Sequence, residues 1–214
     1  MGAFANRLQL ATVVVGLAAA GASQSPAATT GAPESAQQIL DAQAPAVIQQ
    51  FESEGLVMLE GASAEGHVRA LVRFEQPRRR VIRLLSQTAR HHEFRPELKS
   101  IESHGWDDSG SLETHRMRIM FMKINYRLRN HFDWEGNHIW WELDPEFDND
   151  LEVVQGFWEL FEIDDRNTLG RFGTKVNVAA GLPSWVQDTV TRKKVPAAMK
   201  NVKRWVDTDG KYRP

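Results

Sequence analysis

From Leu98 to Ala180 the chain alternates apolar and polar side chains almost without pause. Six runs carry this period of two, at 98–106, 112–121, 126–134, 137–143, 152–163 and 168–179. Such alternation marks strands with one buried and one wetted face. HVRALVRF at 67–74 reads the same way and pairs with LVMLE at 56–60 across a loop bearing Gly and Ser. Between these blocks, QPRRRVIRLLSQTARHHEF at 76–94 has a helical period. Val81, Leu84, Leu85 and Thr88 face inward, the arginines face outward, and Arg95-Pro96 ends the run. Ile39, Leu40, Ala44, Val47, Ile48 and Phe51 predict another helix within 34–55, capped by Ser35 with Gln38 and kinked at Pro45. The last helix spans 184 to about 207. Leu182-Pro183 precedes it, and Ser184 with Gln187 forms the pattern of a capping box. Its inward stripe is Trp185, Val186, Thr189, Val195, Met199, Val202 and Val206, with a bend expected at Pro196.

Register follows from the hydrophobic pattern, because a slip of one residue reverses every side chain. A turn centred on Glu135-Gly136 sets Leu128 opposite Leu143, Asn130 opposite Trp141 and Phe132 opposite Ile139. For the last hairpin, a three-residue loop Asp165-Arg166-Asn167 pairs Leu160 with Phe172, Trp158 with Thr174 and Val154 with Val178. The resulting inner face carries Met117, Ile119, Tyr126, Leu128, Asn130, Phe132, Ile139, Trp141, Leu143, Trp158, Leu160, Phe172, Val176 and Val178. Large rings, methionines and a few polar groups suit the lining of a ligand pocket. They also suit a dry core in which Asn130 and Thr174 bond each other or a trapped water.

Composition narrows the classes. Residues 1–22 have the pattern of a signal peptide: Arg7 near the start, a short apolar run, and Ala-Gly-Ala at 20–22. The run is shorter than the roughly 20 apolar residues a membrane span requires. An exported protein, periplasmic or secreted, is expected, with 23–33 as a flexible Pro- and Ser-containing leader. The sequence has no Cys, which removes disulfides and thiolate metal sites. Lys and Arg number 26 against 28 Asp and Glu, a balance that offers no footprint for nucleic acid. Neither a metal nor a cofactor is expected. His91 and His92 are adjacent on a helical run, and His131 and His138 fall on outward positions, His138 opposite Asp133. DPEFDNDLE at 144–152 lacks the glycine of a calcium-binding loop and reads as an acidic hairpin loop. No nucleophile motif stands out.

Three stretches carry a family resemblance. VRALVRFEQPRRRVIRLLSQTARHHEFRPELKSIE, WWELDPEFDNDLEVVQGFWELFE and GLPSWVQDTVTRKKVPAAMKNVKRWV resemble bacterial polyketide cyclase/dehydrase and coenzyme Q-binding members of the START / Bet v 1-like (SRPBCC) superfamily. The resemblance implies an α+β helix-grip fold over 56–210, a curved antiparallel sheet wrapped around a long C-terminal helix, with 34–55 as an N-terminal extension. It further implies a deep cavity holding a hydrophobic small molecule such as a lipid, quinone or sterol-like compound. Met117, Tyr126, Leu128, Phe132, Trp141, Trp158, Phe172, Trp185 and Met199 would bury the ligand, and Asn130 and Thr174 would orient its polar group. A cyclase/dehydrase-type enzyme using the same cavity is the alternative, with His115, Tyr126 and Asn130 inside and Arg116 at the rim. Met120, Met122 and Ile124, flanked by Arg118 and Lys123, form an apolar stretch at a strand connection that would touch a membrane transiently, or else lie buried in a continuing strand.

Overall fold

A computed structural model describes residues 34–59, 67–178 and 184–214. The expected signal peptide and leader, the loop after the first strand and the Leu182-Pro183 turn lie outside the described residues. Eight antiparallel strands form one sheet: β1 (Leu56–Leu59), β2 (His67–Phe74), β3 (Leu98–Asp107), β4 (Gly110–Ile119), β5 (Met122–Asp133), β6 (His138–Leu143), β7 (Leu151–Glu162) and β8 (Thr168–Val178). Their order is β1-β2-β8-β7-β6-β5-β4-β3, so consecutive strands are neighbours except where β2 joins β8. The sheet curves around a C-terminal helix built from α4 (Ser184–Thr189), a π-helical turn (Val190–Lys194) and α5 (Val195–Asp207). This is the expected α+β helix-grip architecture.

The concave face is the predicted inner face. Met117, Ile119, Tyr126, Leu128, Phe132, Ile139, Trp158, Leu160, Phe172 and Val176 are all buried there. Val186, Val190, Met199, Val202, Trp205 and Val206 press against them from the helix. The register of β5 and β6 is the predicted one, although the connection takes four residues, Trp134 to Asn137, with Asn137 in the left-handed region at φ 54°.

The last hairpin differs from expectation. Trp158 pairs with Phe172 and Val154 with Val176, two residues from the predicted register. A slip of two preserves which side chains face inward, so the face assignment survives the error. The longer loop is held by Asp164, whose Oδ1 accepts from the backbone N–H of Arg166 and Asn167 at 2.8 Å each. Close packing replaces side chains at Gly156, which pairs with Trp141 on one side and Thr174 on the other. A Cβ there would overlap the Trp141 ring and approach the Gly173 carbonyl to 2.6 Å.

Helices outside the grip also depart from the simplest reading. The predicted 34–55 helix is two: α1 (Ala36–Asp41), closed by the Ser35–Gln38 capping box, and α2 (Pro45–Glu54), with Pro45 in its first turn. Pro starts a helix well and continues one badly, so a break replaces the kink. Ile39 and Phe51 pack on Val57, Leu71 and Leu169, which cover the convex face of the sheet, away from the concave side. The helix predicted through 94 stops as α3 (Arg78–Leu85), and residues 88–93 tighten into a 3₁₀ segment. His91 folds back so that its Nε2–H donates to the Leu85 carbonyl at 2.9 Å, satisfying a helix-end acceptor.

Pro196 acts through the turn before it. It has no N–H and its ring crowds the carbonyl four residues back. The helix widens at 190–194, where the Val195 N–H reaches the Val190 carbonyl in a π-type bond. The expected bend is therefore a π turn abutting a proline. Gln187 spans to β8, where its Nε2 donates to the Val176 carbonyl at 2.6 Å and its Oε1 accepts from the Val178 N–H at 3.0 Å; the Ser184 side chain of the expected capping box lies outside the described residues.

Replacing Gly156 by Ala is expected to cost about 1–3 kcal/mol through overpacking against Trp141. Gly105→Ala on the edge strand, where a Cβ meets nothing within 4 Å, should cost far less. Urea denaturation of the two variants side by side checks the difference.

Candidate functional site: a lined cavity with one polar wall

Between the concave sheet and the helix lies a cavity of about 140 Å³. Most of its wall is apolar. Leu128, Ile139, Trp141, Leu151, Val154, Trp158, Phe172 and Val176 come from the sheet, and Val190, Val195, Ala198, Met199 and Val202 from the helix. Trp158 and Phe172 lie 4.8 Å apart between ring centres, and Trp141 stands 6.0 Å from Phe172. Three cross-strand neighbours thus form one aromatic floor.

Nine of the eleven predicted ligand residues line this space: Met117, Tyr126, Leu128, Asn130, Trp141, Trp158, Phe172, Thr174 and Met199. The other two do not. Phe132 is on the inner face but packs at the end of the sheet against Trp106 and Trp134, with ring centres 6.4 and 5.9 Å away. Trp185 sits against Phe121, 5.9 Å away, at the tip of the β4–β5 hairpin. Thr174 spends its hydroxyl on the Gln155 carbonyl at 2.9 Å, so its proton is committed to the neighbouring strand.

The remaining wall is polar and comes from β4, β5 and the segment after α3. Ser111, Glu113, His115 and Met117 alternate inward along β4, opposite Asn130, Leu128, Tyr126 and Ile124 on β5. Thr88 and His91 approach from the 3₁₀ segment, and Arg95 and Glu97 from the connection that leads into β3. Glu113 is 1% exposed and collects three donors: Thr88 Oγ1 at 2.6 Å, His115 Nε2 at 3.3 Å and Asn130 Nδ2 at 3.4 Å. Asn130 also donates to Ser111 Oγ at 2.9 Å. Thr174, one of its expected partners, is not among these contacts, its hydroxyl going to Gln155. Arg95 faces Glu97 at 3.5 Å and lies beside the Tyr126 phenol.

Charge states follow from burial and these bonds. Burial opposes an ionised Glu113, but the hydrogen bonds from His115 and Thr88 outweigh it and hold the carboxyl below its ordinary range. Burial pushes His115 down despite Glu113 beside it, so the imidazole is neutral. His91 drops from 6.5 to about 4, chiefly because it is buried, with Arg95 adding to the effect. Burial raises the Tyr126 phenol against the pull of Arg95, keeping its proton in place.

Sequence reasoning missed Glu113, Ser111 and Thr88. The parity that put Met117 and Ile119 inside also puts Ser111, Glu113 and His115 inside, and that signal was available. Arg116, expected at the rim, has the opposite parity; it is exposed and pairs with Glu102 at 2.7 Å. His131 and His138 both stack on Trp140 on the convex face, each with ring centres 4.9 Å away, as their outward positions required. Asp144 in the acidic loop is 1% exposed, and Arg129 donates to it at 2.9 and 2.7 Å.

No family model and no curated protein matches this chain. Solved structures do. A STAR-related lipid transfer protein from Xanthomonas axonopodis superposes with a TM-score of 0.55 at 14% identity, over 72% of this chain and 99% of that one. A START superfamily protein from Mycobacterium smegmatis gives 0.55 at 14%, over 66% and 97%. The Zhui aromatase/cyclase from Streptomyces gives 0.54 at 15%, over 65% and 94%. Together with the eight-stranded sheet and its long helix, these similarities define the START-type (SRPBCC) helix-grip fold.

The buried histidines set a pH response. A group whose folded pKa is depressed stabilises the fold above its unfolded value and loses that contribution as pH falls through the folded one. His91 therefore predicts stability that is full above about pH 6.5 and declines toward pH 4. The denaturation midpoint measured between pH 7 and 4 should fall, and His91→Gln should flatten part of that fall.

Proposed function

We propose that the chain is an exported carrier that binds a hydrophobic small molecule, of lipid, quinone or sterol-like character, between its sheet and its C-terminal helix. The observation that carries this reading is the apolar cavity itself, floored by Trp141, Trp158 and Phe172 and roofed by Val190, Val195 and Met199. Side chains of that size ordinarily interdigitate to native density. Space left among them favours an apolar occupant, at about 25 cal/mol per Å² of apolar surface removed from water before ordering costs. Two of the structural neighbours are described as a lipid transfer protein and an aromatase/cyclase, which is compatible with such a cavity. Export rests on the signal-peptide pattern of residues 1–22. Extraction with organic solvent and native mass spectrometry of the mature protein from an exporting host should reveal one bound hydrophobic molecule per chain; an empty protein would remove the carrier reading. Trp141→Ala should lower its retention by about tenfold or more, since a buried ring carries roughly 1.5–3 kcal/mol. Trp140→Ala on the convex face should leave it unchanged.

One observation favours the enzymatic alternative. An ionised Glu113 bonded to a neutral His115 in the wall of the cavity is a competent acid–base pair, as a cyclase/dehydrase requires. In that reading His115 moves the proton, Tyr126 and Arg95 steady a developing oxyanion, and the cavity shapes the substrate.

The expected membrane contact is retained in altered form. Ile124 is fully buried opposite Met117, and Met122 begins β5. The apolar tip is instead Met120 and Phe121, 71% and 73% exposed, in a two-residue turn that holds Met120 at φ 54°. Arg118 and Lys123 flank it. Two exposed apolar side chains between cations suit an anionic bilayer surface. Met120→Ser with Phe121→Ser should reduce cosedimentation with vesicles containing phosphatidylglycerol several-fold, without changing the thermal midpoint.

A further inference from the structure

His115 has one ring nitrogen too many for its surroundings. The residue is 2% exposed and its Nε2 turns to Glu113, which stands behind the cavity wall. Its Nδ1 is buried with no hydrogen-bond partner among the described residues. An ionised carboxylate accepts only, so the proton of a neutral imidazole sits on Nε2 and Nδ1 is a bare acceptor. Asn130 offers no relief, since both its recorded donor contacts go to Ser111 and Glu113. A buried acceptor without a donor costs the protein free energy that a bound donor would recover. His91, the other histidine in the wall, is not comparable: it has no buried ring nitrogen left without a hydrogen-bond partner among the described residues.

Resting on the carrier reading above, we infer that the ligand carries a hydroxyl group that donates to His115 Nδ1, with the rest of its apolar body on the Trp141–Trp158–Phe172 floor. A ketone, quinone or ether oxygen can accept from Arg95 Nε, also buried without a hydrogen-bond partner among the described residues, but would leave His115 Nδ1 bare, whereas a hydroxyl donates to it. A carboxylate accepts only, so it too would leave Nδ1 bare, whatever it gained from Arg95 and Lys194 elsewhere in the lining. The polar wall thus selects within the broad hydrophobic class: alcohols and phenols are favoured, including the reduced, hydroxyl-bearing form of a quinone over its oxidised form. Glu113 is a positioning residue in this arrangement; it fixes the tautomer and touches no ligand. Sites built to bond a hydroxyl reject analogues that lack it, because the site's own group is then left unpaired.

The test uses three probes of nearly equal shape: 2-naphthol, 2-methoxynaphthalene and naphthalene, each titrated into the delipidated protein by calorimetry or tryptophan fluorescence. The expected result is 2-naphthol binding about tenfold more tightly than the other two, the worth of one net buried hydrogen bond. His115→Phe should erase that preference while naphthalene still binds. Because that variant removes a partner of buried Glu113 and its folding is at risk, a second measurement uses the unaltered protein. In ¹⁵N-labelled protein the His115 Nδ1 resonance should start at the position of an unprotonated nitrogen and shift upfield with 2-naphthol only. Equal affinities for all three probes, or an Nδ1 resonance that ignores 2-naphthol, would overturn the hydroxyl assignment and leave the carrier reading standing. Failure of all three to bind would overturn both.

Discussion

The cavity depends on where the long helix is anchored. Trp205 is fully buried near its C-terminal end, and the groups around it come from one short stretch of chain. Its Nε1–H donates to Glu93 at 3.0 Å, Phe94 lies 5.1 Å away between ring centres, and Arg90 stands over the indole at 5.2 Å. Arg90 and Arg213 both pair with Glu93, at 2.9 and 2.8 Å. A large apolar ring with one satisfied polar atom fixes both the depth and the rotation of α5. The helix therefore settles at one end of the concave sheet and bridges the rest, and the bridged part is the cavity.

The same segment that seats Trp205 supplies the polar wall. Once α3 ends at Leu85, the 3₁₀ turns carry Thr88 and His91 to the cavity and Glu93 to the helix. Structural and candidate functional groups thus share six residues. Buried polar groups are costly unless fully bonded, and most of this set is: Glu113 has three donors, and Thr88, Ser111 and Asn130 bond one another or Glu113. Against that background the open acceptor on His115 is informative, and in the same wall Arg95 Nε is an open donor.

Much of the fold was legible in the sequence for a simple reason. Strand faces are written with a period of two, and an antiparallel sheet under a helix needs one apolar face. That logic placed Tyr126, Trp141, Trp158 and Phe172 correctly. It was even robust to the wrong loop length in the last hairpin, where Asp164 ties the turn through backbone bonds that no hydrophobic pattern encodes. The break after Leu85 was not legible, since it relies on His91 returning to cap the helix, and its inward position is settled by tertiary packing. Glu113 escaped because apolarity stood in for orientation: the alternation along β4 pointed it inward, while its charge argued for water. Phe132 and Trp185 show the converse error, as facing inward does not by itself place a ring beside the cavity.

Mechanically, the C-terminal helix is a beam clamped at both ends. Gln187 bolts one end to the backbone of β8, and Trp205 seats the other. Between the clamps lie the π turn and Pro196, where the regular ladder of backbone bonds is interrupted directly above the cavity. A beam held this way cannot swing aside as a hinged lid does. Its compliance is concentrated at mid-span, so any enlargement of the space beneath it comes from bowing there, with both supports left in place.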